Sequence, residues 1–291
     1  MPQSIRMPDG RTVAYAEWGD AGGAPVISLH GTPGCRLNRP REEDKLREAG
    51  VHLITYDRAG YGASDRHAGR RVVDCVADVA AIADALEIER FAVMGGSGGG
   101  PHALAVGAGL PERVTRVKCL VSIAPYGVDG LDWFGGMDPG NVKEFGWAME
   151  GEDVLTPELE REAAEMEERV ARDPTLVLEG FDLSDADLAT LADSRVQDVI
   201  RESTAEMFAN GVYGWVDDDL AFAVPWGFDL ATITVPVEVR YGAFDVLAPA
   251  AHGEWLAAHI PGAVGNVESD RGHLPDPDRV IEDLSRFAHS G

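Results

Sequence analysis

Short apolar runs rich in β-branched and aromatic residues recur along the chain, and segments of helical spacing separate them. Residues 12–18, 25–30, 51–56, 91–94, 117–123 and 236–241 are predicted strands. Residues 42–49, 72–86 and 102–108 are predicted helices. Alternation of this kind predicts an α/β class, with a mostly parallel sheet covered by helices on both faces. Pro8-Asp-Gly10 is a turn signal, so the first two strands are expected to pair as an antiparallel hairpin.

The alternation stops after Ile123. Residues 125–226 hold no convincing strand and predict a helical lid inserted between two parts of one core domain, 1–124 and 227–291. Thr156-Pro-Glu158 has the form of a helix start, and Ser184-x-x-Asp187 that of a capping box. The insertion is rich in large apolar groups: Trp133, Phe134, Trp147, Met149, Phe208, Trp215 and Trp226. For any one of them packing is the default expectation. The others are left two uses, lining a pocket or forming a homodimer contact.

The candidate chemistry centres on Phe91-Ala-Val-Met-Gly-Gly-Ser-Gly-Gly-Gly-Pro-His102, an apolar strand that runs through a glycine-ringed serine into a helix start. Gly95-Gly-Ser97-Gly-Gly99 fits G-x-S-x-G, a strained strand-to-helix corner that pushes the hydroxyl outward and tolerates only small neighbours. Ser97 is therefore the candidate nucleophile. A serine hydroxyl needs an adjacent base, itself oriented by a carboxylate. The candidate acid is Asp245, just past the 236–241 strand and a Gly242 turn, with Asp129 or Asp132 as the alternative. The chain has eight histidines; only His273, in Arg271-Gly-His-Leu-Pro275, lies on a late loop beside a glycine. It is the candidate base. The strand-end turn His30-Gly-Thr-Pro-Gly34 is placed to present the Thr32 N–H, with that of Gly98, to a developing oxyanion, since Pro33 has no N–H to give. The run Gly98-Gly-Gly100 either leaves room beside Ser97 or eases helix packing.

These pieces, together with Asp57-Arg-Ala-Gly-Tyr-Gly-Ala-Ser64 and Pro111-Glu-Arg-Val114, stand in the order found in the α/β-hydrolase fold superfamily, which the chain resembles over nearly its whole length. The likeness is to the serine-nucleophile branch of esterases, proline iminopeptidase-like enzymes and cofactor-free haloperoxidases. It implies an eight-stranded sheet with the insertion in the lid position, a Ser97–His273–Asp245 triad, an oxyanion hole at Thr32 and Gly98, and no cofactor. Epoxide hydrolases and haloalkane dehalogenases of this fold carry an aspartate where this chain has Ser97. The resemblance implies a structural role for Asp57, Arg58 and Ser64.

Composition narrows the function further. A net charge of −25 argues against nucleic acid and anionic membrane surfaces as partners and leaves a small-molecule substrate. Between Glu150 and Asp219 there are 21 acidic residues against 5 arginines, which helix surfaces explain as readily as a cationic substrate does. No apolar run approaches the roughly 18–20 residues of a membrane span, and residues 1–20 carry no secretory pattern. Three scattered cysteines fit reduced thiols and a cytoplasmic location. Gly98-x-Gly100-x-x-Ala103 lacks the βαβ context of a dinucleotide site, and Asp217-Asp-Asp219 lacks calcium-loop spacing, so no metal is expected. The main expectation is hydrolysis of a small carboxylic ester. An aminopeptidase with an acidic amine-binding lid is the second reading, and a non-catalytic small-molecule receptor the third.

Overall fold

The computed structural model describes residues 2–290. Its strands are β1 (Gln3–Arg6), β2 (Thr12–Gly19), β3 (Ala24–Leu29), β4 (Val51–Tyr56), β5 (Phe91–Gly96), β6 (Val114–Leu120), β7 (Val237–Gly242) and β8 (Val264–Glu268). They form one eight-stranded sheet in the order β1-β2-β4-β3-β5-β6-β7-β8. β1 and β2 make the hairpin, β2 runs antiparallel to β4, and the remaining pairings are parallel. β4 is buried at every position, as a strand covered on both faces must be. β8 is the opposite case: it lies at the sheet edge with four exposed positions, and Gly265 and Asn266 interrupt its two valines. It therefore carries no hydrophobic signature.

The short helix α1 (Glu43–Glu48) and α10 (Val280–His289) cover one face of the sheet, where Leu284 and Phe287 pack on Val26, Leu46 and Leu53. On the other face α2 (Cys75–Ala85), α3 (Gly99–Gly109) and α9 (Ala250–His259) bury Ile82, Leu104 and Leu256 against Val93, Val117 and Val239. Cys35, Cys75 and Cys119 are free and buried. No helix among the described residues is long and apolar enough to cross a membrane.

Between β6 and β7 the described chain forms α4 (Pro139–Glu150), α5 (Glu152–Arg172), α6 (Asp185–Ala192), α7 (Ser194–Met207) and α8 (Tyr213–Phe222), with no strand. These helices bury a core of their own that includes Leu155, Leu159, Met166, Met207 and Trp215. Trp133, Trp215 and Trp226 are buried, Phe134, Trp147 and Phe208 half-buried, and Met149 exposed. The Ser184 hydroxyl accepts from the Asp187 N–H at 3.1 Å and caps α6. Thr156 does not start a helix. α5 begins earlier, at Glu152 after Gly151, and takes Pro157 into its interior. Gly151, at φ +109°, makes the break that the Thr-Pro signal was expected to mark. The Thr156 hydroxyl is buried without a hydrogen-bond partner.

Candidate active site

β5 and α3 meet at Ser97, which takes φ +53°, a left-handed conformation uncommon for a residue with a side chain. Its N–H is held by the Leu120 carbonyl at 2.9 Å. The corner closes only because its neighbours lack side chains. A Cβ on Gly95 would lie 2.1 Å from the Gly99 carbonyl oxygen, and one on Gly99 would lie 2.2 Å from that of Leu29. A Cβ on Gly100 would lie 2.3 Å from Ser122 Oγ. The glycine run after Ser97 is thus filled space that brings α3 onto β3 and the end of β6, not open room. Among the described residues the Ser97 hydroxyl has no protein hydrogen-bond partner, and it faces a cavity.

Asp245 follows the end of β7, where it is 5% exposed. Its Oδ1 accepts the Leu247 and Ala248 N–H groups, each at 2.9 Å. That leaves Oδ2 to hold His273 Nδ1 at 2.8 Å, and Nε2 free of the carboxylate. Burial works against a charged imidazole at His273. The Asp245 charge and hydrogen bond, with a smaller contribution from Asp187, outweigh it and raise the His273 pKa above 6.5. Asp129 and Asp132 hold no histidine.

Of the other buried histidines, His52 pairs with the Glu17 carboxylate at 2.7 Å, and His30, His102 and His252 serve the backbone. His30 Nε2 accepts the Arg58 N–H at 3.1 Å, so its Nδ1–H donates to the Gly31 carbonyl at 2.7 Å. Burial and the Arg58 charge hold it well below 6.5. His102 Nδ1 meets the Gly98 carbonyl at 2.8 Å, and burial with the same arginine lowers its pKa to about 3. His252 bridges the Ala124 N–H and the Trp133 carbonyl at 3.0 and 2.9 Å.

Thr32 and Gly98 lie against each other, since a Cβ on Gly98 would stand 2.2 Å from Thr32 Oγ1. Neither backbone N–H has a partner among the described residues. Two unclaimed donors beside a serine corner are what an oxyanion needs. Gly98→Ala is expected to force Thr32 away, destabilising the fold by about 1–3 kcal/mol. A denaturation series of Gly98→Ala beside wild type measures that loss.

Below this turn lies a buried ionic cluster that the sequence reading missed. Arg58 donates to the His30 carbonyl, to Thr32 Oγ1 at 3.0 Å and to Asp218 Oδ2 at 2.5 Å. Asp218 also accepts from Thr32 Oγ1 at 2.6 Å and Tyr61 OH at 3.0 Å, and pairs with Arg70 at 2.7 Å. The neighbouring aspartates part company. Asp217 takes Arg66 at 2.8 Å, while Asp219 faces the Glu144 carboxyl, whose Oε1 accepts from Trp215 Nε1 at 2.8 Å. Burial raises the pKa of both Glu144 and Asp219, and at Asp219 the nearby Glu144 and Asp218 charges add to it. Ser97, His273, Thr32, Gly98, Glu144 and Asp219 line one cavity of about 600 Å³.

The model for the alpha/beta hydrolase fold matches residues 24–275. The chain belongs to the alpha/beta hydrolase fold family. A proline iminopeptidase of Xylella fastidiosa is 34% identical over 116 residues, which make up 38% of this chain and 36% of that relative. An uncharacterized hydrolase of Bacillus subtilis is 25% identical across 91% of this chain and 89% of its own. Among solved structures, a thermophilic esterase of Thermogutta terrifontis superposes with a TM-score of 0.70 at 22% identity, covering 100% of both chains. The first curated relatives are matched over less than half of their own length, from 36% to 45%.

Proposed function

We propose that this alpha/beta hydrolase cleaves a small carboxylic ester through an acyl-enzyme on Ser97. The observation that carries the reading is the Asp245–His273 hydrogen bond of 2.8 Å on the wall of the cavity that also holds Ser97. His273 Nε2 takes the Ser97 proton as Oγ bonds to the substrate carbonyl carbon. The Thr32 and Gly98 N–H groups hold the oxyanion, and the C–O bond breaks as His273 protonates the departing alcohol. A water then gives its proton to His273 and attacks the acyl carbon, and His273 returns that proton to Ser97 Oγ as the C–O bond to the serine breaks and the acid leaves. The inserted helices act as the lid, with Phe145 and Trp215 supplying apolar walls.

A second reading rests on Glu144 and Asp219. A pair of neighbouring carboxyl groups on the cavity wall is suited to receive a cationic amine, the need of an aminopeptidase, and a relative matched over part of its length bears that name. The two readings separate on a short-chain p-nitrophenyl ester and a free prolyl p-nitroanilide assayed side by side. Preferred ester cleavage, lost in Ser97→Ala, supports the esterase. Faster anilide cleavage, abolished by blocking the substrate amine and by Asp219→Asn, replaces it with the peptidase.

A further inference from the structure

Asp187 stands on the first turn of α6, in the inserted helices, yet it is 1% exposed because it is buried against the loop that carries His273. Its Oδ1 accepts the Leu274 N–H at 2.7 Å. Its Oδ2 accepts from the Ser184 hydroxyl at 2.8 Å. On the other side of His273 in the chain, a Cβ on Gly272 would lie 1.9 Å from Asp187 Oδ2, so only a glycine before His273 leaves room for this carboxylate. The residues on both sides of His273 are therefore gripped by one side chain that comes from the insertion.

We infer that Asp187 is a positioning residue that ties the inserted helices to the base, fixing the His273 loop through Leu274 and Gly272 and lending the imidazolium a second carboxylate behind Asp245. The inference rests on the reading of His273 as the base.

A helix cap needs only the Ser184 hydroxyl and the Asp187 N–H, and neither requires a carboxylate at this position. The carboxylate does something the cap does not: it adds to the field that favours the protonated imidazole. Asp245 and Asp187 are the acids that act on the ring. Arg271, on the same loop, is paired with Asp276. In the mechanism above the imidazolium forms twice, at attack and again at deacylation. A group that stabilises it acts on kcat more than on KM.

The direct test is an NMR titration of the His273 ring in wild type, Asp187→Asn and Asp187→Ala, joined to the rate of Ser97 labelling by a fluorophosphonate across pH. Asparagine keeps an oxygen for the Leu274 N–H and removes the charge. The His273 midpoint is then expected to fall by roughly half a unit to one unit, and the acid limb of the labelling profile to move down by the same amount. Alanine also orphans the Leu274 N–H, and an additional loss of about tenfold in the alkaline plateau is expected. An unmoved midpoint in folded Asp187→Asn, with an unchanged plateau in Asp187→Ala, would reduce Asp187 to a helix cap and overturn the inference. A wild type that titrates at His273 but does not label at Ser97 would instead remove the base reading, and the inference with it.

Discussion

Ser97→Ala is expected to lower kcat by about 10⁶-fold, and His273→Ala by a similar factor. A serine hydroxyl at neutral pH is almost wholly protonated, so its attack depends on a base that is positioned before the substrate arrives. That positioning is visible at Asp245, whose Oδ1 is fixed by two backbone N–H groups, leaving Oδ2 for His273. The two substitutions should not add, because either one alone removes the same proton transfer. The double variant is expected to be no slower than the single ones, with a remainder of about 10³–10⁴ over water from the oxyanion donors and binding. The sign of the pH dependence follows from His273. Its pKa is raised, so the acid limb of kcat/KM should lie above pH 6.5, since the base must be neutral to accept the proton. Steady-state kinetics on the cleaved substrate check both expectations.

The largest effect on stability is expected from Asp218→Ala, at about 3–5 kcal/mol in urea or thermal unfolding. The side chains of Arg58 and Asp218 are 1% and 0% exposed, and removing the carboxylate leaves Arg58 and Arg70 charged and dry. Burial alone would raise the Asp218 pKa; the Arg58 and Arg70 charges outweigh it and hold the group well below 3.8. A depressed carboxylate contributes stability above the unfolded value near 3.8 and loses it as pH falls through the folded value. The wild-type protein should lose this increment only in strong acid, and Asp218→Ala should show a flatter acid dependence. The substitution should also lower kcat, because Asp218 and Arg58 hold the Thr32 side chain in the oxyanion turn.

How much of this was legible in the sequence depended on how local each signal was. Residues 51–56 read as a strand because every position but His52 is apolar, aromatic or β-branched, and they form β4. The third predicted helix, 102–108, lies inside α3, whose start the glycines concealed. The predicted 117–123 strand slipped by three residues: β6 starts at Val114, straight after the Pro111-Glu-Arg turn, and ends at Leu120. β8 went unread because an edge strand facing solvent needs no apolar pattern. The candidates Ser97, Asp245 and His273 stand out in the sequence because strand-end and glycine-flanked positions carry local punctuation. Asp187, Asp218 and the Glu144–Asp219 pair carry none. The triplet Asp217-Asp-Asp219 shows why, since three identical residues take three different partners from Arg66, the Arg58–Arg70 pair and Glu144. The partners of Asp217 and Asp218 lie about 150–160 positions away in sequence, and no pattern within a helix predicts them.

The central claim, a nucleophilic serine served by His273, is tested most directly by covalent trapping. Folded wild-type protein is treated with a fluorophosphonate, and the adduct is mapped by mass spectrometry alongside His273→Ala. The account predicts one adduct per chain, on the peptide that holds Ser97, forming far more slowly in the variant. A folded protein that takes no label, or that labels at another residue or at an unchanged rate without His273, would contradict it.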